Sequence, residues 1–169
     1  MNDHVCARCA VCGPACCLVE PGREHLCFPL SPAEIERIAP HAPAIAWHVS
    51  ETTSPELLDV LQSLFPAEAA MIAAIFPAGG AHERLATDPS GRCLLLSDSG
   101  CVLPVHARPR HCALYPFWMR GQSLMLLDSE CLAIREARGT AMILRSLGMT
   151  PARVRELFAG LRASLGLAA

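Results

Sequence analysis

Aromatic side chains are scarce in this sequence: they make up 5% of its 169 residues, with a single tyrosine. Charge is sparse as well, at 18% of residues and a formal net charge of -2, and no lysine-rich or arginine-rich block stands out. Without a basic stripe there is no electrostatic footprint for a phosphate backbone, so nucleic acid is set aside as a partner. Long apolar runs are missing too. The most apolar stretch, 69–78, is about half of what a bilayer crossing needs and ends in Phe76-Pro77, so no membrane is expected. The opening residues, MNDHVCARC, have neither the basic start nor the apolar core of a signal sequence, and the expected location is cytoplasmic. No Ser/His/Asp arrangement, phosphate-cradling glycine loop or pair of carboxylates placed for acid and base work is visible, and no catalytic residue is nominated.

What is abundant is cysteine, ten in all, five of them within the twelve residues from Cys6 to Cys17, CARCAVCGPACC. In a reducing compartment thiols stay reduced, so these cysteines read as ligands rather than disulfides. Thiolate sulfur is what zinc, copper(I) and iron–sulfur clusters prefer. Hydrophobic residues at 52% are enough for an ordinary core, and alanine and leucine dominate them. The expected fold is mainly α with a small irregular, β-hairpin metal-binding lobe, an α+β chain of one domain.

Residues 1–30 carry six cysteines and three prolines with little periodicity, which reads as irregular backbone wrapped around ligands. Ser31-Pro32-Ala33-Glu34 then starts a helix, with Ser31 as N-cap, Pro32 in the first turn and Glu34 reaching back in a capping box. A short extended segment is expected over 44–49. Ser54-Pro55-Glu56 opens a second helix through Leu57, Leu61 and Phe65, broken at Pro66 and resumed to Phe76. There is no cysteine between Cys27 and Cys93, so the block 41–80 reads as a helical insertion. Cys93-Leu-Leu-Leu, the turn Ser97-Asp-Ser-Gly100 and Cys101-Val-Leu-Pro104 read as a hairpin. A strand is expected over 123–127, then a helix from Cys131 to about Leu147 weakened by Gly139, and a last helix capped by Thr150-Pro151. The metal lobe is thus drawn from 1–30 and 93–131, and the C-terminal helices from 132–166.

Two spacings overlap in the opening stretch. Cys6, Cys9, Cys12 and Cys16 have the CxxCxxCxxxC spacing of a bacterial ferredoxin run, with Cys17 where a proline would follow. Alternatively, Cys9 and Cys12 form a zinc-knuckle CxxC followed by the adjacent pair Cys16 and Cys17. The isolated Cys93, Cys101, Cys112 and Cys131 lie beside turn or proline signals, as suits a site assembled by folding. Four thiolates on a divalent ion leave a charge near -2 that needs cations or N–H donors around it, and Arg108, Arg110 and Arg120 are close to Cys112 in sequence. His25, His106 and His111 lie near cysteines and could replace a thiolate. Tyr115-Pro116-Phe117-Trp118 reads as a packing shell beside a ligand.

These residues carry a resemblance. Cys9 to Cys17, Leu30-Ser-Pro-Ala-Glu34-Ile-Glu-Arg-Ile-Ala39, Cys93, Gly100-Cys101, Arg108-Pro109, Cys112, Tyr115-Pro116-Phe117 and Cys131 together resemble the YkgJ-type family of the CxxCxxCC domain, described as zinc- or iron-chelating. The resemblance covers about a third of the chain and implies Cys9, Cys12, Cys16, Cys17, Cys93, Cys101, Cys112 and Cys131 as ligands, with Cys6 and Cys27 as extras and Arg108 beside the bound group. The chain departs from the family in three places: three residues rather than two between Cys12 and Cys16, one extra residue between Cys101 and Arg108, and Ala113 where an arginine often follows. The first departure leaves the ligand set of the N-terminal knuckle open. The expected function is a metal-binding protein holding one or two ions of zinc or iron. The alternatives are an iron–sulfur redox protein or oxidoreductase component, and a thiol–disulfide sensor using CARC or CAVC. Cys12→Ser and Cys112→Ser are both expected to lose metal.

Overall fold

A computed structural model describes residues 5–13, 16–127 and 130–167. The chain is a mixed α+β protein, in which eight α-helices among the described residues surround small antiparallel sheets. Helix α1, Val5–Cys12, comes first, followed after a loop by the short strand β1, Pro29–Leu30. Helix α2, Pro32–Ile38, begins where the cap residues dictate: Glu34 N–H donates to Ser31 Oγ, and the Glu34 carboxylate accepts from Ser31 N–H in return. Strand β2, His48–Thr52, follows.

Helix α3, Pro55–Leu64, is capped by Ser54 and buries Leu57 and Leu61, four residues apart and therefore on one face. A single 3-10 turn at Pro66 leads to α4, Ala69–Ile75. Strand β3, Ala81–Leu85, then runs antiparallel between β1 and β2, pairing Leu30 with Glu83 and Ser50 with Glu83 on its two sides. The hairpin of β4, Leu96–Ser97, and β5, Gly100–Cys101, comes next. After it stand α5, Arg110–Leu114, and the hairpin of β6, Phe117–Arg120, with β7, Ser123–Leu126. The chain closes with α6, Leu132–Arg135, α7, Thr140–Ser146, and α8, Pro151–Ser164.

The described residues form two cores. The larger gathers Leu57, Leu61, Phe65 and Ile72 with Leu114, Phe117 and Trp118 and with the stripe Val154, Leu157 and Leu161 of α8. The smaller holds Leu30, Ile38, Trp47, Leu95 and Leu103, with Cys93 and Cys101 packed against it. No single helix among the described residues is long and apolar enough to cross a membrane. The α3–α4 pair is apolar enough, but it bends by 117° and its apolar face is spent in the larger core.

Three local expectations change. The opening stretch is helical from Val5 to Cys12, because Val5 and Ala10 find buried positions and Arg8 ties α1 to α6 through a forked pair with Glu136 at 2.6 and 2.8 Å. The extended segment expected over 44–49 within the block 41–80 is β2, displaced to His48–Thr52. The helix expected from Cys131 to Leu147 is two short ones, because Gly139 sits at φ +107, a backbone geometry that stops helix propagation and that glycine adopts without a Cβ clash.

Candidate metal centre

Backbone pairing brings the distant cysteines together. Leu18 bridges to Arg92, Cys93 N–H donates to the Cys17 carbonyl at 2.9 Å, and Val19 N–H donates to Gly91 at 2.9 Å. The crossing is tight: a Cβ at Gly91, whose φ is +84, would overlap the Val19 carbonyl oxygen. In the β4–β5 hairpin Cys101 faces Leu96, and Gly100, at φ +105, lies in van der Waals range of Ala7 in α1. Cys112 lies in α5, and Cys131 is the residue before α6.

The result is one cavity of about 150 Å³ with nine of the ten cysteines in its wall. Cys6 and Cys9 come from α1, Cys16 and Cys17 from the loop after it, and Cys27 from the segment before β1. Cys93, Cys101, Cys112 and Cys131 come from the second half of the chain. Cys12 is the exception, exposed at the end of α1 and outside the lining. Helical geometry explains it. Each step of three residues falls about 60° short of a full turn, so Cys12 points about 120° away from Cys6. Sequence spacing alone treats the three as equivalent; only the helix makes them different.

Burial pushes the Cys6 thiol up to about 11 and the Cys93 thiol to about 12, and it raises Cys27, Cys101 and Cys112 as well. Neighbouring sulfurs reinforce this: Cys17, Cys93 and Cys101 all act on Cys112, while Cys131, Cys17 and Cys9 act on Cys6. Cys16 and Cys17 have sulfurs 3.8 Å apart, and the hydrogen bond between them raises Cys16 and lowers Cys17. Arg108 and Arg92 add to the lowering at Cys17.

Of the three arginines singled out by sequence, Arg108 lines the cavity. Its Nε donates to the Leu103 carbonyl at 3.2 Å, and its charge favours the thiolate forms of Cys6, Cys17 and Cys101. Arg110 instead packs its guanidinium against Gly160 of α8, and Arg120 is exposed at the end of β6. Arg92, which the sequence did not single out, acts on Cys17 because the Leu18–Arg92 bridge sets it beside that loop.

His25 stands in the 3-10 turn at 24–26, and exposed His106 meets the His41 ring edge-on at 5.0 Å; neither lines the cavity. His111 does. Its ring stacks on Phe28 at 4.5 Å with the planes 6° apart, burial lowers its pKa to about 4, and its buried Nδ1 has no hydrogen-bond partner among the described residues. Phe117 and Trp118 are core residues, Trp118 donating from Nε1 to the Leu64 carbonyl at 3.2 Å.

The donor set is soft and rich in sulfur, with cationic arginine beside it, which fits zinc, iron or an iron–sulfur group. As the sulfurs stand, no three His, Cys, Asp or Glu side chains among the described residues are arranged to hold one ion. Comparison with family models, with curated proteins and with solved structures returns no match.

Proposed function

We propose that this chain is a cysteine-cluster protein of the CxxCxxCC type that holds zinc or iron, as one or two ions, in the cavity between α1, the β4–β5 hairpin, α5 and α6. The observation that carries the reading is the convergence on that cavity of thiols from both halves of the chain, with Arg108 among them. Packing alone does not require it. Isolated buried cysteines serve as small hydrophobes one at a time, whereas nine around one space is a donor set. When bound, the metal supplies a positive centre that holds thiolates together; the chain's part is to deliver the sulfurs, offset their charge through Arg108 and keep water away with Phe28, Leu95 and Leu103. A reducing compartment such as the cytoplasm suits this chemistry.

A second reading is favoured by the count of sulfurs. One tetrahedral ion uses four thiolates, and nine line the cavity, so a polynuclear group, including an iron–sulfur cluster with a redox role, is the alternative. One pair of preparations tests both. Aerobic and anaerobic samples of the full chain are compared by elemental analysis and visible spectrum. Stoichiometric zinc or iron supports metal binding, a brown sample absorbing at about 400 nm selects the cluster, and less than about 0.2 equivalents of zinc plus iron in both preparations overturns the proposal.

A further inference from the structure

Glu34 is the one acidic side chain fully buried among the described residues, 1% exposed, and it has more bonds than a helix cap needs. Its Oε2 completes the capping box by accepting from Ser31 N–H at 3.2 Å and from Ser31 Oγ at 3.3 Å. Its Oε1 is spent elsewhere, accepting from the backbone N–H of Arg110 at 2.8 Å, across 76 positions of sequence. Arg37, one turn along α2, stands 3.5 Å from the same Oε1 and donates to the Arg108 carbonyl at 3.2 Å. Together Glu34 and Arg37 grip the backbone on both sides of Pro109. On one side of that grip is Arg108, whose guanidinium faces the thiols. On the other, two residues on, is Cys112.

A buried carboxylate is costly unless its oxygens are bonded, and a cap at a solvent-exposed helix end would do the same for α2 at lower cost. The long-range bond is therefore what the burial gains, and it goes to the segment carrying two cavity-lining residues. We propose that Glu34 is a positioning residue of the metal centre, fixing the 108–110 backbone so that the Arg108 guanidinium and the Cys112 sulfur stand in register with the other thiols. The inference rests on the metal-binding reading above. It adds to that reading an element, α2, whose Glu34 borders the same cavity with both carboxylate oxygens already engaged by Ser31 and Arg110.

The test uses the full chain loaded with Zn²⁺ and challenged with a chromogenic chelator, alongside melting of the metal-free forms. Glu34→Ala and Glu34→Asp, the latter too short to reach Arg110, are expected to release zinc about 10–100-fold faster than the wild type, as loss of a partner that orients a ligand does. Ser31→Ala weakens the cap of the same helix without touching the 108–110 backbone, and Glu34→Gln keeps a carbonyl for Arg110 N–H; both are expected within about 3-fold of wild type. Release by Glu34→Ala and Glu34→Asp no faster than by Ser31→Ala overturns the inference while leaving the metal site standing. So does faster release that only tracks a lower melting temperature across all four variants. A wild-type chain that takes up no metal overturns the proposed function, and this inference with it.

Discussion

Cys12 and Cys112 carry the same functional group in opposite surroundings: Cys12 is exposed at a helix end, while the Cys112 thiol faces the cavity and is pushed well up by burial and by three neighbouring sulfurs. The sequence nominates both, Cys12 by its CxxC spacing and Cys112 by the family resemblance, but α1 turns only Cys6 and Cys9 toward the site. Cys112→Ser is accordingly expected to lose metal and Cys12→Ser to keep it, measured as metal per chain after purification. Equal loss in both would show that the loop after α1 rearranges on loading. The raised thiols also fix a sign. Cys6, Cys93, Cys101 and Cys112 hold their protons at neutral pH in the metal-free chain, so each one recruited must give a proton up. With two protons displaced, apparent affinity falls about 100-fold for each unit of pH lowered, and a competition titration between about pH 6 and 8 checks it. A flat profile would mean that these thiols are not the ligands.

Elements hold the site through a few close approaches. The Leu18–Arg92 bridge depends on Gly91, because any Cβ there meets the Val19 carbonyl. Gly91→Ala is expected to push the 16–19 loop off the hairpin, separating Cys17 from Cys93, and to lower both metal content and stability, the latter by about 1–3 kcal/mol. Denaturant unfolding and metal analysis of the variant read the two effects. The β1–β3–β2 sheet carries a different dependence, on acid. Burial lowers the pKa of His82, and Glu51 is held below the ordinary carboxylate range by hydrogen bonds from Arg84 at 2.6 and 3.1 Å. Both folded values are depressed, so both contributions to stability are present at neutral pH and are lost as pH falls. The loss at His82 begins below about 6.5, where the unfolded histidine takes up a proton first, and that at Glu51 begins below about 4.3. His82→Gln should make the upper part of this acid limb shallower in urea unfolding between about pH 7 and 5, with His111, lowered by its own burial, supplying the slope that remains, and should leave the lower part in place.

At the scale of the molecule, the proposed metal centre and the fold are one problem. The cavity wall is drawn from α1, the 16–17 loop, the hairpin, α5 and the start of α6, and each of these is too short to be stable alone. The larger core around α3, α4 and α8, with Leu61 and Val154 fully buried, meets the sulfurs only at its margin, where Cys6 and Cys131 pack against it. Stripping metal with a chelator is therefore expected to lower the thermal midpoint by more than about 10 °C while leaving much of the helical circular dichroism, since the helices of that core persist. An unchanged midpoint in a metal-loaded sample would place the ions outside the folding unit.

The legible parts of the sequence were those written locally. Ser31, Ser54 and Thr150 each cap the helix they announce, the hairpin turn lies at Ser97–Gly100, and the stripe Val154, Leu157 and Leu161 is buried on one face. The helix at Val5–Cys12 was not legible, because the density of cysteine and the lack of a clear apolar stripe hid a segment whose order comes from contacts with β5 and α6. The composition also set which donors the chain offers, ten cysteine sulfurs beside 14 basic and 16 acidic side chains, because ligand preference belongs to the side chain wherever it sits. What only the tertiary structure decided was which donors share a space. It turned Cys12 out and Cys27 in, and it chose Arg108 over Arg110 and Arg120. It also made Glu34 reach 76 positions along the chain. Those outcomes depend on helix phase and on backbone crossings between distant segments, which no local spacing encodes.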